Sequence, residues 1–225
     1  MDIILIGGLW LDPTAWDDVL PALRDAGHTP TPVALPGQGD GRRDATLTDQ
    51  IDAVLTAIDQ AAEPVLVVGH SAACTLAWLA ADRRSGQVAR AALIGGFPQT
   101  DGEGYAPFFE PVDGLMGFPG WQVFEGPDSE DLTEERKARM AAEAHPVPAT
   151  VAQAPVHYGN PDRYRVPVTL VCPEYSPEQA KAWLTAGDMP ELEHATVDYV
   201  DFASGHWPMY SAPQALAEVL DQITT

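Results

Sequence analysis

The run Val65-Leu66-Val67-Val68 constrains this chain more than any other stretch. Four consecutive apolar residues between Pro64 and Gly69 are too few for a buried helix and show no polar alternation. They read as a strand covered on both faces, the environment of a parallel sheet. Five further short runs read as strands, at residues 3–6, 33–35, 91–94, 168–172 and 196–202. Helical patterns alternate with them. One helix is expected from Asp12-Pro13, an N-cap followed by proline at the first helical position, to just before Gly27. A second spans residues 48–61, where Ile51, Val54, Leu55 and Ile58 recur at helical spacing, and a third follows Ser71. Ser176-Pro177-Glu178-Gln179 and Ser211-Ala212-Pro213-Gln214 both carry a capping-box signature. This alternation specifies an α/β fold, a mostly parallel sheet of about six strands with helices on both faces.

Residues 98–165 break the rhythm. They hold nine prolines, the aromatic tract from Phe108-Phe109 to Trp121 and Phe124, and a helical pattern near 129–144, with no convincing strand. The sheet is interrupted after its fourth strand and resumes near Val166-Pro167. An insertion of this size at the sheet's C-terminal edge reads as a cap (98–165) on a core made of residues 1–97 and 166–225.

At 225 residues the chain is of single-domain size. Twelve basic against 33 acidic residues give a net charge of −21, which excludes nucleic acid and anionic membranes as natural partners. No stretch approaches the ~20 apolar residues of a membrane span. The start, Met1-Asp2 before an apolar run, lacks the basic region of a signal peptide, so a cytoplasmic location is expected. Cys74 and Cys172 sit in apolar runs and read as packing residues rather than a disulfide or metal pair. His145 and His157 lack ligand-type spacing, and no metal site is expected.

The chemistry lies where the Val65–Val68 run meets Gly69-His70-Ser71-Ala72-Ala73. A sharp strand-to-helix turn crowds its central residue, so the flanking side chains must be small, as Gly69 and Ala73 are. Such a turn lifts the Ser71 hydroxyl above the sheet edge and aims the following helix's N-terminus at the same spot, where backbone N–H groups favour developing negative charge. A serine needs a base. Ser204-Gly205-His206-Trp207-Pro208 follows the last strand and reaches the same edge, so His206 is the candidate proton acceptor. His70, at the variable position of the turn, reads as a packing residue. The N–H of Ala72 and that of Leu9, in Gly7-Gly8-Leu9-Trp10 after the first strand, are the candidate oxyanion donors. Trp10 and Trp207 flank the oxyanion loop and the base and are candidate substrate contacts, with apolar walls from Phe97, Tyr105, Phe108, Phe109, Phe118, Trp121 and Phe124.

The order of Gly-Gly-Leu-Trp (7–10), Gly-His-Ser-Ala-Ala (69–73), the insertion, Cys-Pro-Glu-Tyr-Ser (172–176) and Ser-Gly-His-Trp-Pro (204–208) resembles the α/β-hydrolase superfamily, in particular its short, single-chain esterase-like members. The resemblance implies a Ser–His–acid triad, no cofactor, and ester, thioester or lactone substrates entering under the cap. The chain departs from the pattern in four places. Gly7-Gly8 stands where His-Gly is usual, Ala73 where Gly is usual, and the amino-terminal antiparallel hairpin is missing. Ser176 falls where Asp commonly supplies the acid. Two other carboxylates fit the topology: Glu174 in the same loop, and Asp101 after the fourth strand. The expected activity is carboxylesterase-type hydrolysis of a small neutral or cationic substrate. A lyase using His206 as base on a hydroxynitrile-like substrate, and a non-catalytic ligand-binding protein of this fold, are the alternatives. Relatives that open epoxides or displace halides carry Asp at the position of Ser71.

Overall fold

A computed structural model describes residues 1–224. Six parallel strands form one sheet: β1 Asp2–Ile6, β2 Thr29–Pro32, β3 Val65–His70, β4 Val88–Ile94, β7 Val168–Cys172 and β8 Val197–Asp201. Their order across the sheet is β2-β1-β3-β4-β7-β8. The helices are α1 Leu20–Asp25, α2 Leu47–Asp59, α3 Cys74–Arg83, α4 Glu134–Glu143, α5 Ala149–Ala152, α6 Pro177–Ala186, α7 Pro208–Ser211 and α8 Pro213–Gln222.

Side chains alternate across a pleated strand, and the two faces of this sheet feed two separate cores. Ile4, Ile6, Val67, Leu93 and Leu170 pack with residues of α2, α3 and α6. Ile3, Leu5, Leu66, Val68, Ile94 and Val171 pack with residues of α1, α7 and α8. This double covering is why β3 is buried at all six positions and carries no polar alternation. The edge strand β8 has no fully buried position, and its exposed Asp198 is held by Arg90 of β4 at 2.7 Å. Both cysteines are buried and free. Among the described residues no helix is long and apolar enough to cross a membrane.

Several sequence expectations are corrected. The second strand is Thr29–Pro32, not residues 33–35. It pairs only with β1, and an edge strand tolerates Pro30 and Pro32 because their missing N–H groups face away from the ladder. Val33 and Leu35 are buried because the chain dives into the core after leaving the sheet. The helix expected from Asp12 to Gly27 splits into a 3-10 turn, Pro13–Trp16, and α1. Asp12 caps that turn as expected, while Pro21 falls in the first turn of α1, where its missing N–H breaks no helical bond. The Ser176 capping box forms, but the Ser211 one does not. Ser211 ends α7 and donates its hydroxyl to the Trp207 carbonyl, leaving Ala212 as the cap of α8.

Residues 98–165 do contain strands. β5 Leu115–Met116 and β6 Val147–Pro148 form a two-residue antiparallel ladder, too short to show as a periodicity. The helix expected over 129–144 starts only at Glu134, because Thr133 accepts the Arg136 N–H and caps it there. Upstream, Ser129 is instead buried and donates its hydroxyl to the Phe124 carbonyl at 2.6 Å.

Leu93, near the C-terminal end of β4, has no solvent exposure. Leu93→Ala is expected to lower unfolding stability by about 2–5 kcal/mol, read from urea denaturation, because a rigid sheet between two helix layers cannot collapse into the cavity.

Candidate active site

Parallel strands deliver their C-terminal ends to one edge of the sheet, and five loops meet there. They follow β1 (Gly7 to Trp10), β3 (Ser71), β4 (Gly95-Gly96), β7 (Glu174) and β8 (His206). A cavity of about 390 Å³ opens between them, lined by Leu9, Ser71, Ala72, Gly96, His206 and Trp207 among others.

Ser71 is the first residue of a 3-10 turn joining β3 to α3, and its φ is +55°. Left-handed backbone at a residue with a side chain costs on the order of 1–3 kcal/mol and persists only where the surroundings impose it. Those surroundings are glycines. A Cβ on Gly69 would overlap the Ala73 carbonyl. One on Gly96 would lie 2.8 Å from the Ser71 carbonyl oxygen, and one on Gly8 3.0 Å from the Ser71 Cβ. The crowding inferred from the sequence at Gly69 is therefore shared by two other loops.

His206 lies in the loop between β8 and α7. Its Nδ1 is 2.7 Å from Glu174 Oε1, and both side chains are about one-sixth exposed. A carboxylate accepts, so Nδ1 carries the proton and the neutral ring keeps its lone pair on Nε2. At this length the bond is charge-assisted. Gly95, at φ +60°, leaves room for the pair: a Cβ there would be 3.3 Å from both Glu174 Oε2 and His206 Nδ1. The main chain around His206 is also held. The His206 N–H donates to the Asp128 carbonyl at 2.8 Å, and the Gly205 N–H to Asp131 Oδ2 at 2.7 Å. The His206 carbonyl accepts from His70 Nε2 at 2.7 Å.

Of the two candidate acids, the structure brings Glu174 to His206 and places Asp101 elsewhere. The Asp101 carboxylate accepts the Tyr158 N–H at 3.0 Å and faces the His157 ring at 3.6 Å. Ser176, where the family pattern commonly has Asp, caps α6. Leu9 and Ala72 both line the cavity beside Ser71, as do Trp10 and Trp207. Trp10 also has positive φ, +66°; its indole N–H donates to the Met116 carbonyl and its own carbonyl accepts the His145 N–H. Phe124 packs edge-on against Trp207 at 5.1 Å, and Trp207 edge-on against His206 at 4.8 Å.

Two titrating groups beside the pair are displaced from their ordinary ranges. Burial, reinforced by the neighbouring His206, pushes the His70 imidazole down to about 3. Burial raises the Asp128 carboxyl, with Glu174 adding to the shift and His206 opposing it. Sequence reasoning missed the Gly95-Gly96 pair, although it repeats the Gly7-Gly8 pattern at the end of another apolar strand. It also missed Thr75 and Gln99, which add polar groups to the cavity, and Asp128 and Asp131, for which no sequence signal exists.

A family model described as "Alpha/beta hydrolase family" matches residues 3–219. No curated protein sequence gives a significant match. Among solved structures, an extracellular alpha/beta-hydrolase from a Paenibacillus species superposes with a TM-score of 0.80 at 17% identity, covering 99% of this chain and 98% of its own. A pyrethroid hydrolase from Sphingobium faniae gives 0.72 at 20% identity, covering 99% and 96%. A methylesterase from Arabidopsis gives 0.75 at 15% identity, covering 100% and 98%. At these identities the likeness is one of fold.

The depressed His70 value has a consequence for stability. The unfolded chain, with an ordinary value near 6.5, takes up a proton that the folded ring refuses until about 3. His70's contribution is therefore complete above about pH 6.5 and is lost progressively as pH falls through that window. Between about pH 7 and about pH 5, the melting temperature of His70→Gln is expected to fall less steeply than that of the wild type; parallel slopes would contradict a buried neutral ring.

Proposed function

The chain belongs to the alpha/beta-hydrolase family, and from that premise we propose that it is a serine hydrolase cleaving a small, apolar carboxylic ester, thioester or lactone. One observation carries the reading. A serine forced into left-handed backbone shares a cavity with an imidazole whose far nitrogen is bound by a half-buried carboxylate at 2.7 Å.

In this reading His206 Nε2 takes the Ser71 proton as the oxygen attacks the substrate carbonyl, and the imidazolium returns that proton to the leaving group. Glu174 holds the tautomer that makes Nε2 the base and stabilises the ring while it is charged. The N–H groups of Ala72 and Leu9 receive the oxyanion, a contribution of about 3–4 kcal/mol for each donor. Water, deprotonated by the same imidazole, then attacks the acyl-Ser71 ester and regenerates the hydroxyl.

Substrate character follows from the walls. Trp10, Phe97, Phe109, Phe124 and Trp207 enclose the cavity, with Thr75 and Gln99 as its polar points. Phe109 and Phe124 come from residues 98–165, which in this reading act as the cap. The net charge of −21 disfavours anionic substrates. The names of the structural neighbours, a pyrethroid hydrolase and a methylesterase, are in keeping with ester chemistry on this fold. The ligand-binding alternative rested on a missing acid at Ser176, and Glu174 against His206 removes that support.

Turnover of p-nitrophenyl butyrate tests the assignment. Ser71→Ala is expected to abolish it, and Glu174→Gln to lower kcat by about 10³–10⁴-fold through loss of the correct tautomer. Asp101→Asn is expected to stay within about twofold of wild type. A collapse in Asp101→Asn with Glu174→Gln unaffected would overturn the acid assignment, and full activity in Ser71→Ala would overturn the whole reading.

A further inference from the structure

We propose that His70 is a positioning residue for the base: its Nε2–H, donated to the main-chain carbonyl of His206, sets the height and tilt of that imidazole over Ser71. The inference rests on the hydrolase reading and deepens it.

A carbonyl oxygen only accepts, so the 2.7 Å contact places the proton of His70 on Nε2. Nδ1 is then a lone-pair nitrogen, and it is buried with no hydrogen-bond partner among the described residues. The ring as a whole is 1% exposed. Burial also keeps it neutral, since the charged form would have to be desolvated. A residue required only to fill this space needs no nitrogen at all. Burying an imidazole with one unsatisfied nitrogen is unfavourable, and what it supplies here is one donor directed at the base loop.

The loop needs that donor. Ser204, Gly205 and His206 belong to no helix or strand, so only individual bonds fix them. The His206 main chain has two: its N–H on the Asp128 carbonyl and its carbonyl on His70. The first comes from the segment after β4, the second from the end of β3 itself, one residue before Ser71. The distance from nucleophile to base is thereby measured along a rigid central strand. The two imidazoles lie 5.0 Å apart between centroids, so the ring also packs against the one it positions. On its other side stands the oxyanion loop, where a Cβ on Gly8 would fall 2.9 Å from His70 Nδ1. One side chain therefore touches the base and abuts the oxyanion loop while adjoining the nucleophile in sequence. That arrangement gives the variable position of the turn a function that packing alone does not explain.

The test compares His70→Phe and the slimmer His70→Met, which lack a donor, with His70→Gln, whose amide can restore it. With p-nitrophenyl butyrate, the donor-free variants are expected to lose about 100-fold in kcat, since a small misplacement of the base suffices for that, with KM nearly unchanged. His70→Gln is expected to recover most of the loss. The limb of the pH–rate profile that reports the base should move in the donor-free variants and return in His70→Gln. Equal activity in all three variants, or a loss confined to KM, would overturn the proposal. If Phe does not fold, Met against Gln decides. Nitrogen-15 NMR of the six histidines, which needs no turnover, separates this result from failure of the hydrolase reading. His70 should show an Nε2–H tautomer, and the His206 ring signals should shift in His70→Met and return in His70→Gln. Unchanged His206 signals in His70→Met would overturn the positioning role even in a protein that hydrolyses nothing.

Discussion

A residue with a side chain can hold φ near +55° at the end of a central strand only where its neighbours surrender theirs. Ser71 is such a residue, and Gly69, Gly96 and Gly8 are the neighbours. The first lets the chain double back from β3 into α3, the second lets the β4 loop pass under the serine carbonyl, and the third brings the loop after β1 against its Cβ. Three loops are thus drawn to one point by the absence of methyl groups. The double-faced packing of the sheet supplies the rigidity that sustains the strain.

Residues 98–165 are tied into this arrangement at both ends of the cavity. On the side of the loop after β1, the Met116 carbonyl accepts the Trp10 indole N–H and the His145 N–H reaches the Trp10 carbonyl. His145 also bonds Asp12, the cap of the turn that follows. On the base side, Asp128 and Asp131 receive the N–H groups of His206 and Gly205. Gly205 is required because a Cβ there would meet both of those acceptors. A segment that supplies aromatic walls therefore also holds the loops carrying the proposed donors and base. Changes within it are expected to reach kcat as well as substrate preference.

How much of this was legible depended on the range of the signal. The doubly buried β3 and the glycine–serine turn are local, and both could be read directly from residues 65–73. The parallel order of the sheet followed from alternation. Elements whose form depends on distant partners were less readable. An edge strand made of Thr29–Pro32 looks like a loop until its neighbour β1 is known, and the ladder of β5 and β6 is two residues long. The carboxylate that reaches His206 shows the same limit. Glu174 and Asp101 both end up near strand ends, and only the path of the chain between β7 and α6 puts the first, not the second, on His206. His70 read as packing because nothing in its own neighbourhood names the carbonyl 136 positions away that it bonds.

A crystal structure of the protein after reaction with an alkyl phosphonate ester tests the convergence of these loops most directly. A single adduct on Ser71 Oγ is predicted, with its phosphoryl oxygen within hydrogen-bond reach of the Leu9 and Ala72 N–H groups. In the same structure His206 should remain on Glu174. An adduct at another residue, a phosphoryl oxygen turned away from both donors, or a His206 ring paired with Asp101 would contradict the site as built here.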